Sequence, residues 1–398
     1  MKAIRNSSLW KMIFAFAVSF LLFFQGQLAF AQGDSAPSPA QLSEQQLGSI
    51  GTDQIETYWK QVVDDNNGYL PETNPNFKSF VQSDKQGFLK KLFGGLLRFF
   101  LNELIVSSSL LGTLIMLSVF STLLQAIQSA FEVKTVSKVA YIVVTLVLLV
   151  LLLNSFRLAA GYTADTVRTM SQFLIALIPL IFGLTAAAGG AASVAFFHPL
   201  IIFLVNISGW LVSVFIMPLL FMSALLGIVS TLSEYKLTKL SDLLRNIALF
   251  TLAAFFAVFL GVMSVQGAAA AISDGLMVKS AKFFTANFLP VVGRMFTEAA
   301  DTVIGASVIL KNTVGIAGLL ILFCITAFPL LKVLSLAFIY NVAAAVLQPL
   351  GKGPVTDSLV IMAKSMFYLF SALAIVSLMF FLALTIIITS GNISLMVR

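Results

Sequence analysis

The chain has 398 residues, of which 59% are hydrophobic and only 10% charged, and its mean hydropathy is +0.99. A soluble domain carries about 25% charged residues, so most of this chain's surface does not meet water. Lys and Arg number 24 against 17 Asp and Glu, a formal charge of +7. They are scattered between apolar runs rather than gathered on one face, which excludes a nucleic-acid footprint and places them in loops and at lipid headgroups. One cysteine, Cys324, and one histidine, His198, exclude an intrachain disulfide, a thiolate metal cluster and His-based triad chemistry. The composition describes an all-α polytopic membrane protein with no cofactor, and not an enzyme.

Lys2, Arg5 and Lys11 form a positive n-region, and Met12 to Phe24 an apolar core too short to span comfortably. Ala29-Phe30-Ala31 then supplies the A-x-A pattern, with cleavage expected between Ala31 and Gln32. The alternative is an uncleaved first helix. A signal peptide at 1–31 leaves the mature N-terminus outside the cytoplasm.

Residues 32–85 form an external acidic segment: Asp34, Glu44, Asp53, Glu56, Asp64, Asp65, Glu72 and Asp84 outnumber Lys60 and Lys78. Thr52 is placed to cap a short helix whose Ile55, Trp59 and Val62 share one face, and Asn66-Asn67-Gly68 reads as a turn. The segment is too small and too polar for a large core of its own, so a partner is expected to order it. At 86–100, QGFLKKLFGGLLRFF combines Lys90, Lys91 and Arg98 with large apolar residues, the pattern of an amphipathic helix in the membrane interface. Equally, it extends the first span as a tilted helix.

The remainder, 101–398, is a multi-span helical domain. A span needs about 20 apolar residues, and the candidates are 104–127, 138–158, 172–192, 246–270, 313–338 and 363–390. Between the third and fourth lies 199–232, too long for one upright helix, with Pro218 placed to kink or divide it. Seven spans are expected, or eight if that run crosses twice. Loop charges do not orient them, because with seven spans the Lys and Arg divide almost evenly between the two sides. Orientation rests on the signal peptide.

Three places invite function. The amphipathic connection at 271–312 carries Arg294, Glu298 and Asp301 at spacings that share a helix face. They form either a cation or proton site near the membrane or a solvated face. Small residues concentrate in GLTAAAGGAASVAFFHP at 183–199, suited to close helix packing or to an unwound segment lining a cavity. His198 falls at a span end, as an interface residue. Lys332, next to Pro329, either snorkels to the interface or is a buried pathway charge. No nucleotide-binding, zincin or nucleophile-elbow motif occurs, so energy for transport comes from an ion gradient or from a partner.

Three long blocks resemble a known family: NFLPVVGRMFTEAADTVIGASVILKNTVGIAG at 287–318, AFPLLKVLSLAFIYNVAAAVLQPLGKGPV at 327–355 and SLMFFLALTIIITSGN at 377–392. They are similar to the stage III sporulation protein AE family of endospore-forming bacteria. The signal peptide, acidic segment and spacing of spans fit as well. The resemblance implies a multi-pass protein of the mother-cell membrane around the forespore. It implies as partners the other proteins of the same operon, among them a secretion-type ATPase and ring-forming proteins, together with a forespore membrane protein. The implied activity is a channel that sustains the forespore after engulfment, with no catalytic residues to carry over. The contrasting reading is a self-sufficient secondary transporter coupled through Glu298, Asp301 or Lys332.

Overall fold

In a chain this apolar the backbone finds little water to bond, and helix pairs its N–H and C=O groups within one segment. The computed structural model describes residues 52–71, 76–82, 85–130, 134–232, 236–288, 292–350 and 353–396. Every regular element among them is helical: α1 (Asp53–Asp65), α2 (Phe77–Gln82), α3 (Lys85–Val106), α4 (Ser108–Ala130), α5 (Lys134–Ala187), α6 (Ala191–Trp210), α7 (Met217–Leu232), α8 (Thr238–Phe288), α9 (Val292–Leu347) and α10 (Pro354–Met396). Six stretches are long and apolar enough to cross a membrane: Gly87–Leu124, Ile142–Ala187, Ala191–Thr231, Thr238–Met277, Asp301–Leu347 and Pro354–Thr389. The expected cleavage site at Ala31 and Gln32 lies outside the described residues.

The helices are longer than a count of crossings predicts. The expected span 138–158 and all but the last five residues of 172–192 lie on one uninterrupted helix, the 54-residue α5, about 81 Å long at 1.5 Å per residue. Arg157 and Arg168, at the end of the first of these spans and between the two, are therefore helical. The run 199–232 is also continuous. A π-helical turn at Leu211–Ile216 joins α6 to α7, and the Met217 N–H bonds the Val212 carbonyl. The wider turn comes directly before Pro218, where a proline ring would otherwise press on the preceding turn. The connection at 271–312 is no separate element: 271–288 ends α8 and 292–312 opens α9.

α9 and α10 form the most extensive helix pair, with α5 against both and α8 against α10 and α7. Tyr340, Phe380, Phe173 and Phe259 are wholly buried among them. At one end of the bundle neutral hydroxyls join the helices. Ser223 of α7 and Ser241 of α8 each donate to the other's backbone carbonyl, at 2.8 and 2.7 Å. Thr231 of α7 meets Ser358 of α10 at 2.6 Å.

The described part of the acidic segment, 52–71 and 76–82, docks on this bundle. Thr52 stands at the N-cap position of α1, its carbonyl accepting from the Glu56 N–H, although its side chain makes no capping bond. Ile55, Trp59 and Val62 are buried, as their spacing predicts. Trp59 stacks on Phe80 with centroids 4.2 Å apart, and Phe80 meets Phe88 of α3 edge-on at 5.1 Å. Tyr58 reaches Phe173 of α5 at 5.8 Å, so the chain's own helices hold the segment. The Asn66–Tyr69 turn closes with Gly68 at φ +88°. Tyr69 then crosses α3 so closely that a Cβ on Gly95 would fall 1.8 Å from its carbonyl oxygen. Along α3, Phe88, Leu92 and Leu96 are buried while Lys90, Lys91 and Arg98 stay exposed together with Leu89, Phe93 and Leu97.

Candidate functional site

The α5–α6 turn shows why small residues gather at 183–199. The chain leaves α5 at Ala188, reverses through Gly189 at φ +89°, and starts α6 at Ala191. Gly189 takes a left-handed conformation that costs other L-residues strain. A Cβ on Gly190 would lie 2.6 Å from Thr185 Cγ2 and 3.3 Å from Asp274 Oδ2, so the position has room for hydrogen alone.

A new helix exposes unpaired N–H groups at its start, and Gly190 has no side chain to cap them. The cap comes from α8. Asp274 Oδ1 accepts from the N–H groups of Ala192 and Ser193 at 2.9 and 3.1 Å, and the Ser193 hydroxyl donates to Oδ2. Asp274 is wholly buried. The positive end of the α6 dipole favours a carboxylate there.

On α9, Lys311 is also wholly buried, and its Nζ donates to the Ile388 carbonyl of α10 at 2.9 Å. One turn before it on α9, Ser307 is buried with no hydrogen-bond partner for its hydroxyl among the described residues. One turn after it, Gly315 lets α10 close in: a Cβ there would sit 2.7 Å from Ile388 Cδ1. The cluster gathers the α5–α6 turn, α8, α9 and α10 at the end of the bundle opposite the hydroxyl ties. Both ions belong to stretches apolar enough to span, where an ionisable side chain is costly and marks function. Its carboxylate is committed to hydrogen bonds, so the arrangement suits holding charge and position rather than bond-making chemistry. Among the described residues no group of three or more His, Cys, Asp or Glu is placed to hold a metal.

The residues named from sequence fall elsewhere. Arg294, Glu298 and Asp301 lie on the first turns of α9, as their spacing requires; the side chains of Arg294 and Glu298 are outside the described residues, and Asp301 is exposed. Lys332 is half-buried, its Nζ 4.2 Å above the Tyr162 ring. It lines a cleft of about 290 Å³ between α1, α5 and α9, with Tyr58, Asp65, Asp165 and Phe328. His198 is exposed beside Phe182, ring centroids 5.8 Å apart. Asp274, Ser193 and Lys311 were not singled out by the sequence. Their one signal is a lone charge near an apolar run, and reading 271–312 as an amphipathic connection hid it.

The model of the stage III sporulation protein AE family matches residues 73–391, from just before α2 into the last turns of α10. The chain belongs to the stage III sporulation protein AE family. The match takes in the Asp274–Lys311 cluster and all six candidate spans. The stage III sporulation protein AE of Bacillus subtilis (strain 168) is 53% identical over 371 residues, covering 92% of each chain. No solved structure matches. Six long apolar helices and this kinship make the chain a multi-pass membrane protein of sporulation.

Proposed function

We propose that the chain is a membrane-embedded component of a multiprotein, secretion-like channel that links mother cell and forespore and sustains the forespore after engulfment. In this reading it lies in the mother-cell membrane around the forespore with its mature N-terminus outside the cytoplasm. Its partners are the other proteins of its sporulation operon, including a secretion-type ATPase and ring-forming membrane proteins, and a forespore membrane protein. It contributes surface and structure to the conduit, and chemistry to none of it.

The observation that carries this reading is a mismatch of length. Large apolar side chains stand exposed along one helix from Leu240 and Leu243 through Phe250, Val258 and Val265 to Ile272, Leu276 and Phe283. That stretch of α8 is about 65 Å long, against a hydrocarbon layer of about 30 Å. A tilt of 40° extends the lipid-covered length only to about 39 Å. Lipid therefore cannot cover the whole face, and the remainder calls for protein. Across the bundle, α1 lies against α5, sharing a hollow formed by Asp53, Gln54 and Ile55 with Ala176, Pro179 and Gly183. Its exposed Asp53, Lys60, Asp64 and Asp65 keep lipid tails off that side. A surface part lipid-facing and part protein-facing fits a subunit better than a self-sufficient transporter.

The test is an in-frame deletion in the native host, scored by microscopy and by reporters of late forespore genes. Arrest after engulfment, with small collapsing forespores and silent late genes, supports the channel reading. Normal spores with altered growth or solute uptake would overturn it in favour of the transporter.

A further inference from the structure

We propose that the outward face of α5 between Asn154 and Gln172 lines a water-filled passage through the membrane for small hydrophilic solutes. That face carries Asn154, Arg157, Gly161, Asp165, Arg168 and Gln172, at the three- and four-residue steps of a single helical stripe. All six are exposed, with Leu158 the large apolar side chain exposed among them. The stripe is about 27 Å long, close to the hydrocarbon thickness of about 30 Å. It lies within Ile142–Ala187, a stretch apolar enough to span. Toward the N-terminus the same face exposes Val143, Val147 and Val150, so the change to polar is abrupt.

A polar stripe on so long a helix could stand above the bilayer, but the neighbouring helices rule against it. Phe156 meets Phe221 of α7 with ring centroids 5.8 Å apart, and a Cβ on Gly209 of α6 would lie 3.4 Å from the Ser171 hydroxyl. These contacts set 156–171 of α5 level with 209–221. Over that interval the α6–α7 surface exposes Trp210, Val214 and Phe215, with Met222 next, and it carries no charge. One level of the bundle therefore offers lipid an apolar face and carries Arg157, Asp165 and Arg168 on another. Lipid tails do not cover such charges, which in a spanning stretch face the bundle interior or a water-filled cavity. A dry protein contact fits no better. Among the described residues none of the three makes an ion pair, and burying unpaired charges is costly. Water leaves all three solvated. The cleft beneath α1 widens the polar surface sideways, adding Lys332 and Asp65 beside Asp165. Arg157 and Arg168 flank Asp165, so neither sign of solute charge is repelled along the whole path. The inference rests on the channel reading, since one helix is one wall and the assembly supplies the others.

The experiment is cysteine accessibility in the full-length chain. Cys324, the chain's one cysteine, is buried, and Cys324→Ala gives the background. Single cysteines replace Asn154, Arg157, Gly161, Asp165 and Arg168 on the stripe, and Val214 and Met222 at the same level on the apolar face. Membrane fragments from sporulating cells, open to reagent on both faces, are treated with an anionic, membrane-impermeant methanethiosulfonate. A thiol in apolar surroundings stays protonated and inert. The stripe positions are expected to react at least about tenfold faster than Val214→Cys and Met222→Cys. Stripe positions as slow as those two would overturn the proposal, because lipid or a dry protein contact then covers α5. Fast reaction at all seven would also overturn it, by placing the whole level outside the bilayer. Asn154→Cys and Gly161→Cys remove no charge, so they decide the matter if the charged positions do not accumulate folded. Arrest of the deletion strain together with an unreactive stripe would overturn the passage along α5 and leave the channel reading standing.

Discussion

The two ends of the bundle join overlapping sets of helices by opposite means. At one end Ser223, Ser241, Thr231 and Ser358 tie α7, α8 and α10 with neutral hydroxyls, each bond local and separately satisfied. At the other, Asp274 and Lys311 tie the α5–α6 turn, α8, α9 and α10 through two buried ions. Hydroxyl bonds between membrane helices are weak, about 0.6 kcal/mol each. Their loss is confined to the pair that made them. Ions in a dry interior are costly. The difference teaches where the helices are held by separable neutral bonds and where buried charged groups are committed to the joint.

The comparison breaks first, and most visibly, at the charged end. Replacing Asp274 by Leu removes the cap of α6 and leaves the buried Ala192 and Ser193 N–H groups without their acceptor; the expected loss is about 4 kcal/mol of unfolding free energy, measured by denaturant unfolding in detergent micelles. A loss no larger than that of a single hydroxyl would make the two ends alike. A loss of similar size but narrower reach is expected in the docked segment. Trp59→Ala empties the ring cluster with Phe80 and Phe88, at about 3 kcal/mol. Limited proteolysis should then cut within 52–82 while the spanning helices stay protected. At the neutral end, the paired change Ser223→Ala with Ser241→Ala is expected to cost about 1 kcal/mol. Hydrogen–deuterium exchange of the Ala192 and Ser193 amides should remain at the parent rate. Smallest of all, Lys332→Gln removes the ammonium from the Tyr162 face, at about 0.5 kcal/mol. A large effect there, on stability or on spore yield, would move attention to the cleft beneath α1.

Sequence made some of this visible and hid the rest for physical reasons. Ile55, Trp59 and Val62 announced the buried face of α1 by their spacing alone, and Asn66-Asn67-Gly68 announced its turn. Where α1 would dock was hidden, because Phe173 is one of many phenylalanines and nothing local distinguishes it. The apolar runs disclosed an all-helical membrane fold. They misplaced its interruptions, since 159–171, with Asp165 and Arg168, looks like a loop between two spans yet continues a single helix on which both side chains are exposed. Pro218 flagged a departure from regular helix, which the preceding π turn absorbs without a break. The charged cluster was illegible because its partners are set by tertiary packing: Ser193 and Asp274 are 81 positions apart, and Lys311 and Ile388 are 77. The glycines at 189 and 190 were visible, but what they make room for was not.

The central claim is that the apolar face of α8, longer than a bilayer is thick, is covered partly by protein. The most direct measurement places a photo-crosslinking residue in turn at Leu243, Phe250, Val258, Val265, Ile272 and Phe283, in sporulating cells that make the full-length chain. The account predicts lipid adducts over a contiguous part of the helix no longer than about 39 Å, and discrete protein adducts over the rest. Lipid adducts at every position from Leu243 to Phe283 would contradict it.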